Sequence, residues 1–110
     1  INEFDNFCKN NKELNLIIIG NGEEKLKLEK MIKSKKLNDR IFLINRTYNV
    51  YKYMEHASIF ILPSLWEEVG FVIVEAALSN LFIISSDCPN GPSEFLDNGN
   101  SGILFKSNIL

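Results

Sequence analysis

A chain of 110 residues is long enough for one compact domain with a core of its own and too short for two ordinary ones. An apolar share of 45%, a charged share of 24% and a net charge of −2 describe a globular protein, and 12 Lys and Arg against 14 Asp and Glu exclude electrostatic capture of a nucleic-acid backbone. Cys8 and Cys88 lack metal-ligand spacing, and no signal-peptide pattern or long apolar span appears, so the expected setting is a reducing, cytoplasmic one. The first residue is Ile1 rather than Met, so the chain is expected to be a piece of a longer polypeptide.

In chain order, "LNLIII" (14–19) reads as a strand followed by a "GNG" turn. Residues 23–36 place Leu26, Met31 and Ile32 among charges, with Glu23 and Glu24 in the first turn and lysines in the last. This predicts a surface helix whose dipole is complemented at both ends. "IFLI" (41–44) is a second strand, and 49–56 a short helix capped by Asn49. "SIFILP" (58–63), a helix over about 70–79, "LFIISS" (81–86), a helix at 92–97 opened by Gly91 and Pro92, and "GILF" (102–105) complete the chain. Continuous Ile, Leu and Phe runs without alternation predict strands covered on both faces. The expected class is therefore α/β: a Rossmann-like, three-layer, doubly wound parallel sheet flanked by helices, in a single domain spanning 1–110. Ligands are expected where strand C-termini meet helix N-termini.

The stretch "WEEVGFVIVEAALSN" (66–80) keeps one carboxylate, Glu75, inside an apolar helix. Its neighbours on the same face are Phe71, Val72, Leu78 and Ser79, so Glu75 is either an edge residue paired with a lysine or capping nearby backbone, or a group awaiting a ligand with hydroxyl donors. The strand ends at Pro63 and the helix cannot begin cleanly before Gly70, which makes 64–69 a loop at a strand C-terminus. Gly70 allows close approach of a ligand, and the free amides of the first turn, at Phe71 and Val72, form an anion site. Glu67 stands on the rim. Were 67–75 wholly helical the two carboxylates would lie about 12 Å apart along the axis, and a loop shortens that span so that both can flank one extended ligand.

Pro63-Ser64, Glu67, Gly70, Glu75 and Ala76-Ala77 together resemble the donor-sugar signature of retaining glycosyltransferases of family 4 (glycosyl transferases group 1). "LIIIGNGEE", "RIFLINRTYNVYKYMEHASIFILPS" and "SSDCPNGPSEFLDNGNSGILF" look like successive blocks of the same family's C-terminal domain, so the resemblance covers about residues 14–106. It implies the C-terminal, nucleotide-sugar-binding half of a GT-B fold, without the N-terminal acceptor domain, so that the isolated piece would be inactive. By position, Glu75 would accept hydrogen bonds from ribose hydroxyls. Glu67, the catalytic candidate, would hold the transferred sugar with help from amides near Val69 and Gly70. The amides of Phe71 and Val72 would bind the diphosphate, and Asn45 and Arg46 would border the base.

The family tends to have glycine where Asn45 stands; asparagine tolerates a left-handed backbone, so the loop's shape is expected to survive. Glu68, where a small residue is usual, is expected to face solvent. The family's basic pair for the diphosphate has no counterpart in "INEFDNFCKNNKE". The resemblance implies sugar transfer with retention, with a nucleoside diphosphate sugar as co-substrate and no metal or other cofactor. The acceptor would be a bacterial surface glycan or lipid-linked saccharide, with possible peripheral membrane contact through the missing half. Richness in Asn, Ile and Lys fits an AT-rich bacterial genome. A nucleotide-sugar epimerase of the same fold and a non-catalytic nucleotide- or protein-binding module stay open as alternatives.

Weaker signals are read structurally. "GNG" lacks the third glycine of a dinucleotide loop, and His56 covers a helix end. Tyr48, Tyr51 and Tyr53 serve amphipathic packing or stack on a base. Glu94 is a first-turn carboxylate or lies on the pocket rim.

Overall fold

The computed structural model describes residues 1–106. It divides into two compact units, Ile1–Tyr48 and a second that begins at Asn49, each built on its own parallel sheet.

The first unit runs α1 (Asn2–Cys8), β1 (Leu16–Ile19), α2 (Lys25–Ser34) and β2 (Ile41–Ile44). β1 and β2 pair in parallel from Leu16↔Ile41 to Ile19↔Ile44. Because side chains alternate along a strand, one face presents Leu16, Ile18, Ile41 and Leu43, which pack with Ile32, Leu37, Ile1 and Phe4. The other face leaves Ile17 and Phe42 exposed. Helix α1 is absent from the sequence reading. Its cue is the spacing of Ile1, Phe4 and Cys8, short enough that the helix depends on packing rather than propensity. The Arg40 guanidinium secures the turn that follows it, donating to the carbonyls of Leu14 and Asn11. Helix α2 starts later than expected, at Lys25, so Glu23 and Glu24 precede its first turn.

The second unit runs α3 (Tyr51–Met54), β3 (Ile59–Leu62), α4 (Phe71–Leu78), β4 (Phe82–Ser86), α5 (Pro92–Phe95), a 3₁₀ turn (Asp97–Gly99) and β5 (Ile103–Phe105). Val50, not Asn49, stands at the N-cap of α3. The strands lie in the order β3-β4-β5, all parallel. Successive parallel strands laid down in one direction, with right-handed crossovers, place both connecting segments on one side of the sheet. Leu62, Ile73, Ala76, Leu81, Ile83 and Leu96 form the core there, joined by Met54.

That topology corrects the expectation of strands covered on both faces. Ile59, Phe82 and Ile103, on the opposite side, are 49%, 51% and 48% exposed, because neither connecting helix of this unit reaches them. Among the described residues, no helix is long and apolar enough to cross a membrane.

Candidate functional site

β3 ends at Leu62, and Pro63, whose ring fixes its φ, follows as the chain leaves the sheet. The loop returns at Gly70, the N-cap of α4, whose φ of 66° and ψ of 33° lie in the left-handed region. A Cβ built on Gly70 would meet only Ile73 Cδ1, at 3.7 Å, so conformation rather than space makes glycine fit here. A second glycine shapes the same loop from behind. Gly91 has φ 136°, and a Cβ on it would sit 2.9 Å from the carbonyl oxygen of Val69. The sequence marks Gly91 only as a helix start, since nothing local reveals what its bare face touches.

Backbone donors gather at this point. Among the described residues, the amides of Val69, Gly70, Phe71 and Val72 donate to no protein acceptor, whereas the Ile73 amide already reaches the Gly70 carbonyl at 2.9 Å. The first N–H groups of a helix have no partner within it, and here a left-handed residue precedes them, so four successive donors are left at the positive end of the α4 dipole.

Two carboxylates accompany them. Of the ten glutamates, Glu67 and Glu75 are half-buried and the other eight, Glu68 and Glu94 included, are exposed. Glu67 accepts a hydrogen bond from the Ser64 hydroxyl at 2.5 Å, and the Ser64 carbonyl in turn accepts one from the Ser86 hydroxyl, also at 2.5 Å. From the sequence Ser64 enters only as part of the Pro63-Ser64 signature, with no contact assigned to it, and Ser86 has no role.

Glu75 sits about 6 Å along α4 from Phe71. The helix is less buried than its composition implies. It buries Ile73 and Ala76, while Phe71 and Leu78, on the same face as Glu75, are 68% and 73% exposed. Glu75 therefore lies at the border between this exposed apolar strip and half-buried Val72 and Ser79. No lysine is paired with it: the ion pairs among the described residues are Lys27–Glu24 and Lys35–Asp5.

Asn45 and Arg46 belong to the first unit, directly after β2. Asn45 does not adopt the left-handed backbone allowed for it. Its side-chain oxygen instead accepts a 2.6 Å hydrogen bond from Lys25 Nζ, and the Arg46 amide donates to Asn21 Oδ1 at 3.1 Å, tying the loop to the "GNG" turn. Beside these bonds lies an open cleft of about 200 Å³ with an apolar floor of Ile18, Leu28 and Leu43 and a polar rim of Asn21, Glu24 and Lys25. Tyr48 is fully exposed rather than packed. A second cleft of about 250 Å³, between α4, α5 and β4, is apolar and includes neither Glu67 nor Glu75. Cys8 and Cys88 are free and buried.

The family model described as glycosyl transferases group 1 matches residues 1–109. The chain belongs to that family. An uncharacterized glycosyltransferase of Methanocaldococcus jannaschii is 40% identical to this family member over 81 residues, which is 74% of this chain and 20% of that protein. The poly(ribitol-phosphate) alpha-N-acetylglucosaminyltransferase of Staphylococcus aureus is 30% identical over 93 residues, 84% of this chain and 19% of the relative. Among solved structures, the pneumococcal O-GlcNAc transferase GtfA, in complex with UDP and GlcNAc, superimposes with a TM-score of 0.85 at 27% identity, covering 96% of this chain and 21% of that one. The group 1 chain thus spans about a fifth of the length of these relatives. Parallel sheets flanked by helices, the Rossmann-like α/β class expected from the sequence, are shared with a glycosyltransferase of known structure.

Proposed function

We propose that this group 1 family member transfers a sugar from a nucleoside diphosphate sugar with retention of configuration, as a family 4 enzyme of GT-B architecture, and that residues 1–110 form its C-terminal donor-binding part. The observation that carries the proposal is the set of four unpaired amides at Val69–Val72, accompanied by the two glutamates that alone are half-buried. A diphosphate is the ligand chemistry suited to convergent N–H donors at a helix N-terminus. Half-buried carboxylates without lysine partners are suited to hydroxyl donors, which the ribose and the sugar supply.

In this scheme the Phe71 and Val72 amides hold the diphosphate as it leaves, and Glu75 accepts from the ribose. Glu67, with the Val69 and Gly70 amides, holds the sugar, on which positive charge develops. The leaving-group charge falls on backbone donors, so the scheme calls for no metal. The matched GtfA, solved with UDP and GlcNAc, supports a uridine nucleotide sugar as the first donor to try. The poly(ribitol-phosphate) in the name of the staphylococcal relative supports a polymeric acceptor. Two free, buried thiols support a reducing, cytoplasmic compartment.

Calorimetric titration with UDP, GDP and their sugars tests the proposal. Glu75→Ala is expected to weaken nucleotide binding by about 1.5–3 kcal/mol, the range for a hydrogen bond to a charged group. Glu67→Ala is expected to leave binding of the bare nucleotide intact and to abolish discrimination between nucleotide and nucleotide sugar. Unchanged affinity in a folded Glu75→Ala protein would remove the ribose assignment, and parallel loss of both ligands in Glu67→Ala would remove the sugar assignment.

A further inference from the structure

Resting on the reading of Glu67 as the sugar-holding carboxylate, we infer that Ser64 and Ser86 are its positioning residues, acting as a two-step brace from the interior of the sheet to the site. The brace begins at β4, where Ser86 is fully buried and pairs with Phe105 of β5. Its hydroxyl crosses to the loop and donates to the Ser64 carbonyl at 2.5 Å. That bond stands just beyond Leu62↔Ser85, the last register pair of β3 and β4, where the ladder has ended. A side-chain hydroxyl thus holds the first turn of the loop to the central strand.

The second step sets the carboxylate. The Ser64 hydroxyl donates its one proton to Glu67 Oε1 at 2.5 Å. A carboxylate rotates freely about its last bond unless one oxygen is held; held, it presents the other oxygen in a defined direction. With Oε1 engaged, Oε2 keeps its lone pairs for sugar hydroxyls, and a glutamate on a loop gains the fixed aim of a residue on a strand. Ser85 next to it does not enter the brace, since its hydroxyl returns to the neighbouring Ser86 carbonyl at 3.0 Å. The serines touch no reacting atom in this scheme, so their effect falls on the contribution of the sugar and leaves that of the nucleotide alone.

The test is a set of titrations on the full-length polypeptide containing this chain, with UDP, GDP, UDP-glucose, UDP-N-acetylglucosamine and GDP-mannose as probes. Ser64→Ala is expected to weaken the nucleotide sugar about 10-fold relative to its bare nucleotide, near the lower end for a lost hydrogen bond to a charged group. Ser64→Thr, which restores the hydroxyl, is expected to return the ratio to within about 3-fold of the parent. Ser86→Ala is expected to shift the ratio in the same direction by less.

A general collapse of the loop would weaken both ligands together, and that result in Ser64→Ala overturns the positioning role, as does an unchanged ratio. Glu67→Ala measured alongside separates the two levels. If Glu67→Ala changes the ratio and Ser64→Ala does not, the brace is refuted and the site assignment stands. If Glu67→Ala leaves the ratio unchanged, or the parent binds none of the probes, the site assignment fails and takes the brace with it.

Discussion

Replacing Gly91 by alanine asks the most of the loop that carries the candidate site. Two penalties coincide at this position. With φ 136° and ψ −51°, Gly91 occupies backbone space that an L-residue rarely adopts, and holding one there costs about 1–3 kcal/mol. The added methyl would also lie 2.9 Å from the Val69 carbonyl oxygen, and this neighbour is main chain, which cannot swing away as a side-chain tip can. Forcing an extra methyl into a packed site adds about 1–3 kcal/mol.

The expected loss is therefore about 3 kcal/mol or more, equivalent to about 10 °C or more in melting temperature for a unit of this size. Gly70→Ala is the internal control. The left-handed conformation is strained there too, but the new methyl would only touch Ile73 Cδ1 at 3.7 Å, so the loss should stay near about 1–2 kcal/mol. Urea unfolding followed by circular dichroism, with midpoints compared at constant m-value, gives both numbers. If Val69 yields instead, the cost appears as weaker binding of the nucleotide sugar relative to its bare nucleotide, because the Val69 amide is one of those proposed to hold the sugar. An alanine at 91 that leaves stability within about 0.5 kcal/mol and nucleotide-sugar affinity unchanged would refute the packing argument, as would a larger effect at 70 than at 91.

Two further predictions concern the first unit. The Asp5 carboxyl is held below its ordinary range, chiefly by the hydrogen bond from the Lys35 ammonium. Its contribution to stability is thus fully present above the unfolded carboxylate value and disappears as pH falls through the lower folded one. The stability gap between the parent and Asp5→Asn should therefore be largest near neutrality and close on acidification in pH-dependent melting, whereas a gap independent of pH would contradict the ion-pair account. Lys25 and Asn45 share an exposed bond of 2.6 Å, so a double-mutant cycle with alanine at each should give a coupling of about 0.5–1 kcal/mol in denaturant unfolding. Strict additivity would mean that the bond does not hold the loop.

Much of the architecture is readable from the residues alone. Runs such as "LIII", "IFLI" and "FIISS" have the length and β-branching of strands, and breakers such as Gly20, Pro63, Gly70 and Gly91-Pro92 punctuate them, because these preferences are local to the backbone. The spacing of Pro63, Glu67, Gly70 and Glu75 likewise placed a strand end, a loop and a helix start in the right order. Local preference stops where a contact depends on which segments become neighbours. Helix α4 reads as apolar, with Glu75 open between an edge position and one facing a ligand; with both crossovers on one side of β3-β4-β5, Phe71 and Leu78 remain exposed and Glu75 is a border residue. Asn45 reads as a tolerated substitute for glycine, and only folding brings Lys25 to it. Ser86 joins Ser64 across 22 positions, and Gly91 meets Val69, solely through the register of parallel strands. Composition and periodicity report the environment of each residue one turn or one pleat at a time, whereas the aim of Glu67 and the shape of its loop arise from contacts between segments far apart in the chain.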